Sequence, residues 1–194
     1  MDIITLRNAI PAEEFDHGIL LNTLKDYSQP YKKISRLLAS GDIIRVKKGL
    51  YVFGSRLARG PYSREVFANL IYGPSYISLE YALSWHGMIP EKVNQVTSIT
   101  NRRNKYFDTP IGQFTYTYLN PQKYPIGIQL KALDDKRHFL IASKEKALCD
   151  LVAQKSKANA VDELSDYLFE NLRIDPIDFK KLDTSLLKEI SIIY

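Results

Sequence analysis

The sequence predicts an α+β protein with a small helical N-terminal unit and a larger unit built on a sheet. Three observations carry that prediction. Residues 3 to 40 hold three segments with helical apolar spacing, followed by two β-prone runs around Lys47-Lys48-Gly49. Between residues 93 and 142, five short stretches alternate or are β-branched, the mark of an antiparallel or mixed sheet. Helical patterns then return from Ser143 to the end of the chain.

The first helix is expected over residues 3 to 9, stopped by Pro11. Residues 16 to 26 place Ile19, Leu20, Leu21 and Leu24 at helical spacing. Tyr27-Ser28-Gln29-Pro30 reads as a turn, with Ser28 or Gln29 at the N-cap of a third helix and Pro30 in its first turn. That helix should run over 30 to 40 and stop at Gly41. Ile43 to Val46 and Leu50 to Phe53 should then pair as a hairpin. Gly54 to Pro61 has the composition of a linker, so the units are drawn as 1–54 and 62–194, with 55–61 between them. In the larger unit, helices are expected over 62 to 72, from Ser78 to about His86, and from Ser143 to about Lys155, with a brief extended stretch at Tyr76-Ile77. Strands are expected over 93–101, 104–108, 112–119, 126–133 and 137–142, and two or three helices over 160–194.

Composition narrows the function. The chain has 194 residues, 45% of them hydrophobic and 25% charged, with thirteen Tyr and eight Phe, so it can build cores. No apolar run approaches the roughly 20 residues that span a bilayer, and the first residues lack the pattern of a signal peptide. One cysteine forms no internal disulfide, and no Cys/His cluster has zinc spacing. A reduced, cytoplasmic protein without metal or cofactor and away from membranes is expected.

The charge is localised. Residues 25 to 59 carry nine basic side chains against Asp26 and Asp42, a net of +7. The whole chain carries +5, so the remainder sums to −2. A basic segment on an otherwise slightly acidic protein is the footprint of a polyanion-binding module. On a helical wheel of about 100° per residue, Lys32, Arg36, Gln29, Ser40 and Lys33 fill one arc of the third helix. Leu37, Ile34, Leu38 and Tyr31 fill the other. Arg, Gln and Lys suit base edges and phosphates in a major groove.

The order of parts is more specific than the amphipathicity. Helix, tight turn, second helix and basic-tipped hairpin is the layout of a winged helix-turn-helix. Gln29, Lys32, Lys33 and Arg36 would face the groove, and Arg45, Lys47 and Lys48 would lie on the wing near the phosphate backbone. The same fold also serves as a protein–protein module, so an adaptor that does not touch DNA is the alternative.

Nothing in the sequence asks for an enzyme. His17, His86 and His138 lie in different elements, and no P-loop, GxGxxG or GxSxG is present. His86 reads as a packed or capping residue, and Cys149 as a small buried hydrophobe. The adjacent carboxylates Asp134-Asp135 and Asp162-Glu163 do not share a face, as an acid/base couple would need.

Three separated blocks carry a resemblance. Ser75 to Pro90 (SYISLEYALSWHGMIP) reads as a helix capped by Ser78, with Leu79, Ala82 and Leu83 buried and Gly87 as its stop. Together with Lys47-Lys48-Gly49-Leu50-Tyr51-Val52 and Ala142-Ser143-Lys144-Glu145-Lys146-Ala147-Leu148-Cys149-Asp150-Leu151, it resembles the AbiEi-family antitoxins of type IV toxin–antitoxin systems. The resemblance implies a bifunctional bacterial protein. Its N-terminal winged helix would bind inverted repeats in its own promoter on double-stranded DNA and repress the operon. Its C-terminal unit would counter a cognate nucleotidyltransferase toxin, generally without a stable complex. After residue 155 the chain shows no further motif of this kind.

Overall fold

A computed structural model describes residues 3–155 and 165–194. The first unit holds α1 (Ile3–Ala9), β1 (Glu14–Asp16), α2 (His17–Thr23), α3 (Pro30–Ala39), β2 (Ile43–Lys47) and β3 (Leu50–Phe53). Local chemistry explains the helix ends. Asp16 accepts from the Ile19 amide and caps α2. Pro30 opens α3, where its missing N–H costs nothing. Gly41 then takes φ +72°, a conformation that ends the helix without a Cβ penalty.

β1 is the element the sequence reading lacks. Three residues, Glu14-Phe15-Asp16, are too few to show a period. They pair antiparallel with Leu50–Val52 and extend the hairpin to three strands in the order β1-β3-β2. Phe15 stacks beside Tyr51 and Phe53 in a small core with Leu6, Leu20, Leu24, Ile34 and Leu37.

The second unit holds α4 (Arg64–Ile71), β4 (Ser75–Ile77), α5 (Leu79–Trp85), β5 (Val96–Thr100), β6 (Lys105–Thr109), β7 (Gly112–Tyr118), β8 (Ile128–Ala132), β9 (His138–Ala142) and α6 (Lys144–Lys155). A π-helical turn (Tyr167–Asn171), α7 (Pro176–Lys180) and α8 (Thr184–Ile192) follow. Residues 160–164 of the expected C-terminal helices, and with them the Asp162-Glu163 pair, lie outside the described residues. The six-stranded sheet has the order β6-β7-β5-β4-β9-β8. It is mixed: β4–β9 and β5–β7 are parallel, the other pairs antiparallel. The chain is therefore α+β, as the pattern predicts. No helix among the described residues is long and apolar enough to cross a membrane.

The two units share the β2–β3 hairpin. Ile43, Tyr51 and Phe53 enter the small core, while Val46 and Val52 enter the large one with Phe67, Ile71 and Phe114. Segment 54–61 is tied down as well. Arg56 pairs with Asp42, and the Arg59 amide donates to Glu13 Oε1 at 3.0 Å. Gly54 has a packing reason: a Cβ there would stand 1.8 Å from the Gly41 carbonyl oxygen. Glu14 then bridges to the second unit, accepting from the Ser63 amide and pairing with Arg137 at 3.3 Å.

Candidate nucleic-acid interface

The small core sets the phase of α3. Ile34 and Leu37 are buried and Leu38 is partly so, which turns Tyr31, Lys32, Ser35, Arg36 and Ala39 outward. Gln29, Arg45 and Lys48 are exposed too. The wheel is rotated from the expected one, and Tyr31 is a correction: it is 66% exposed, not part of the docked arc. Two apolar anchors suffice to seat a ten-residue helix, so the third position on that side is released to solvent. Lys33 lies at the margin of the outward arc, partly buried, its ammonium 5.9 Å from the Tyr27 ring centre.

A backbone contact ties the hairpin turn to the start of α2, whose first residue lies beside Tyr31 on α3. The His17 amide donates to the Gly49 carbonyl at 2.9 Å. The His17 ring then lies 6.2 Å from Tyr31 and 6.1 Å from Tyr51, and its Nδ1 is 3.3 Å from the Tyr51 hydroxyl. Lys48, next to Gly49, therefore sits close to the end of α3 that carries Gln29, Tyr31 and Lys32. Arg45 is directly opposite Tyr51 across the hairpin. Gly49 holds φ +88°, which lets the turn close this tightly. Sequence periodicity misses Tyr31 as part of this surface; its place beside Gln29 and Lys32 at the helix start was the available signal.

Lys47 is the second correction. It is partly buried, not free at the tip. Its ammonium donates to the Ile71 carbonyl at 2.5 Å and lies 4.8 Å from the Phe107 ring centre. The cause is a bulge between Arg45 and Lys47. In a regular strand these two residues share a face; Val46 keeps the face of Ile44 in the large core, and the extra residue breaks the alternation after it and aims Lys47 at the second unit as well. The exposed basic group of this surface is therefore Lys32, Arg36, Arg45 and Lys48, with Lys33 beside it.

A second constellation lies inside the larger unit. Lys146 and Asp150 are both fully buried and 3.3 Å apart, one helical turn apart on α6. Asp150 accepts from Ser78 Oγ at 2.6 Å, from the Tyr76 hydroxyl at 3.0 Å and from the Tyr194 hydroxyl. The Lys146 ammonium donates to the Lys123 carbonyl at 2.5 Å and to the Tyr194 hydroxyl at 2.7 Å. Ser78 is thus at the N-cap of α5, but its hydroxyl does not cap the helix. It is committed to Asp150, a correction to the expected cap. Burial pushes the Asp150 carboxyl up and the Lys146 ammonium down from their ordinary ranges, against their mutual attraction. Every donor and acceptor of the pair is engaged, so the arrangement holds α6, α5 and β4 together rather than presenting a reactive group.

The rest of the 142–151 block is explained in the same way. Ser143 Oγ accepts from the Lys146 amide at 3.1 Å and caps α6, and Glu145 accepts from the Asp183 amide at 3.0 Å. Cys149 is partly rather than fully buried, a fourth correction. It lines a cavity of about 370 Å³ with Lys123, Leu148, Val152, Phe179 and Tyr194, and burial pushes its thiol up to about 11. A thiol so shifted is a weak nucleophile at neutral pH. Among the described residues, no group of three His, Cys, Asp or Glu could hold a metal ion.

His86 closes α5 and places a nitrogen 2.8 Å from the Ala142 carbonyl. Burial lowers its pKa below 6.5 despite that contact, and Lys131 and Lys144 add to the effect. An unfolded chain therefore takes up a proton that the folded one resists. The stability tied to His86 is present above pH 6.5 and falls as pH drops through the depressed folded value. In thermal melts from pH 7.5 to 5, the wild type should lose Tm toward acid, and His86→Asn should show a flatter profile.

No protein-family model matches the chain, and no curated protein matches it either.

Proposed function

We propose that this chain is a DNA-binding antitoxin that represses its own toxin–antitoxin operon and counters a nucleotidyltransferase toxin. The toxin half of this reading rests on the resemblance of residues 47–52, 75–90 and 142–151 to AbiEi-family antitoxins. The DNA half rests on one observation: α3 turns Lys32 and Arg36 outward, and Arg45 and Lys48 are exposed on the hairpin that follows it. The order α1-β1-α2-α3-β2-β3, with the three strands in one sheet, supports reading the first unit as a winged helix-turn-helix, with α3 in the major groove and the hairpin as the wing. Gln29 and Tyr31 would flank the phosphates at the groove entrance.

The contacts divide by position. Arg36, exposed on the outward arc one turn beyond Lys32, would read a base edge, and a bidentate Arg–guanine contact is worth about 1–3 kcal/mol of discrimination. Lys48, at the hairpin tip, is placed to neutralise phosphate, which holds register without reading sequence. Fluorescence titrations on promoter and scrambled duplexes at several salt concentrations test this. Arg36→Ala should lose preference for the promoter while keeping its non-specific binding. Lys48→Ala should weaken both duplexes alike and flatten the salt dependence by roughly one unit of slope. Lys47→Ala should leave that slope unchanged, because its ammonium is already held by Ile71. Wild-type protein with no preference for its own promoter at any salt would remove the repressor role and favour the adaptor.

A further inference from the structure

α3 and the β2–β3 hairpin are fastened to each other at one end. The Asp42 amide donates to the Leu37 carbonyl at 3.0 Å, and Ser40 Oγ donates to Asp42 Oδ2 at 2.6 Å, so the last turn of α3 runs into β2 without slack. The other ends are far apart in sequence: α3 begins at Pro30, and the hairpin turns at Lys48-Gly49. Among the described residues, no backbone hydrogen bond joins the first turn of α3 to that hairpin turn.

His17 stands between these two ends. Its amide donates to the Gly49 carbonyl at 2.9 Å. Its half-buried ring lies 6.2 Å from the Tyr31 ring and 6.1 Å from the Tyr51 ring, tilted 33° to each. The two tyrosines differ in what holds them. Tyr51, on β3, is 3% exposed, lies 3.3 Å from His17 Nδ1 through its hydroxyl, and stacks on Phe15 with ring centres 6.0 Å apart. Tyr31, on α3, is 66% exposed and has no ring neighbour but His17 among the described residues. His17 therefore links a side chain on the outward face of α3 to the anchored core of the hairpin.

We infer that His17 is a positioning residue of the DNA surface, whose ring fixes how far the start of α3 stands from the hairpin turn. This rests on the DNA reading above. A groove contact by Lys32 and Arg36 and a phosphate contact by Lys48 are made together only if helix and turn keep one separation along the duplex. A loose separation has to be ordered at binding, and that entropy is subtracted from the affinity. The backbone bond to Gly49 does not depend on the His17 side chain and holds only the turn. The ring is the part of His17 that reaches α3.

Two measurements test the inference, and the first needs no DNA. Nitroxide labels at Ser35→Cys and Lys48→Cys, both exposed positions, in a Cys149→Ser background, report the separation by electron paramagnetic resonance. His17→Ala should broaden the distance distribution. His17→Phe, which keeps a ring between the two tyrosines, should restore it. The second is a fluorescence titration of unlabelled protein on promoter and scrambled duplexes. His17→Ala should weaken promoter binding about tenfold, and His17→Phe should stay within about twofold of wild type. Lys48→Ala should cost less in the His17→Ala background than alone, because its phosphate contact is already out of register. Additive losses overturn the inference, as does an unbroadened distribution in His17→Ala, or a His17→Phe that behaves like His17→Ala. Each of these leaves the promoter preference of the wild type standing. A wild type without that preference removes the DNA reading instead, and this role with it, even where the distances broaden.

Discussion

Asp150→Ala should destabilise the protein by about 3–5 kcal/mol, the cost of leaving a buried charge without its partner. Asp150 collects Lys146, Ser78, Tyr76 and Tyr194 at one carboxylate, and its removal strands a fully buried ammonium. Lys146 keeps only the Lys123 carbonyl and the Tyr194 hydroxyl. Urea denaturation followed by circular dichroism reads the loss directly. The double variant Lys146→Met with Asp150→Ala separates the two possible causes. If the loss comes from the stranded charge, the double variant should recover a large part of it, because the charge has gone with its partner. If the double variant is as unstable as Asp150→Ala, the loss comes instead from the three hydroxyls that Asp150 accepts. Promoter binding by the folded fraction of Asp150→Ala should be unchanged, since the pair lies in the second unit.

Leu37→Ala should cost about 2–5 kcal/mol through the cavity it opens. Leu37 is 3% exposed and packs in a core to which, among the described residues, ten fully or nearly buried side chains belong. Such a core has little other apolar area over which to spread a void, so the loss is a large fraction of the stability of a domain this size. The hairpin carries the effect further, because Val46 and Val52 on β2 and β3 belong to the large core. Leu38→Ala, at a partly buried position on the same helix, should cost clearly less. Equal losses for the two variants would mean that α3 docks in a different rotation. The same rotation decides how squarely Arg36 faces outward, so this measurement also tests the base-reading role proposed for Arg36.

The bounds of α3, the hairpin and the strands of the large sheet were legible because each is set by local chemistry. Pro30 and Gly41 frame α3, and the turn at Pro110-Ile111 separates β6 from β7. Residues near the candidate interface were legible to the extent that they lie on one regular helix. Lys32 and Arg36 are where the period places them. Tyr31 was not, because the period gives the axis of the apolar stripe but not how wide the covering core will be. Lys47 was not, because a bulge changes face without changing composition. β1 was not, because three residues have no period at all.

The sequence by itself determined the α+β class, the concentration of positive charge in residues 25–59 and the apolar residues that fill the two cores. These follow from composition, spacing and turn residues, which act over a few positions. Only the tertiary structure decided which of those residues meet. Ser78 and Asp150 lie 72 positions apart and meet at 2.6 Å. Lys47 and Ile71 lie 24 apart, and Glu14 and Arg137 lie 123 apart. Contacts of that range depend on sheet order and on the crossing of whole elements. No local pattern encodes whether a polar side chain will end in water, in a neighbouring carbonyl or beside a buried charge. That depends on what the fold has already placed opposite it, since a buried polar group persists only where a partner satisfies it.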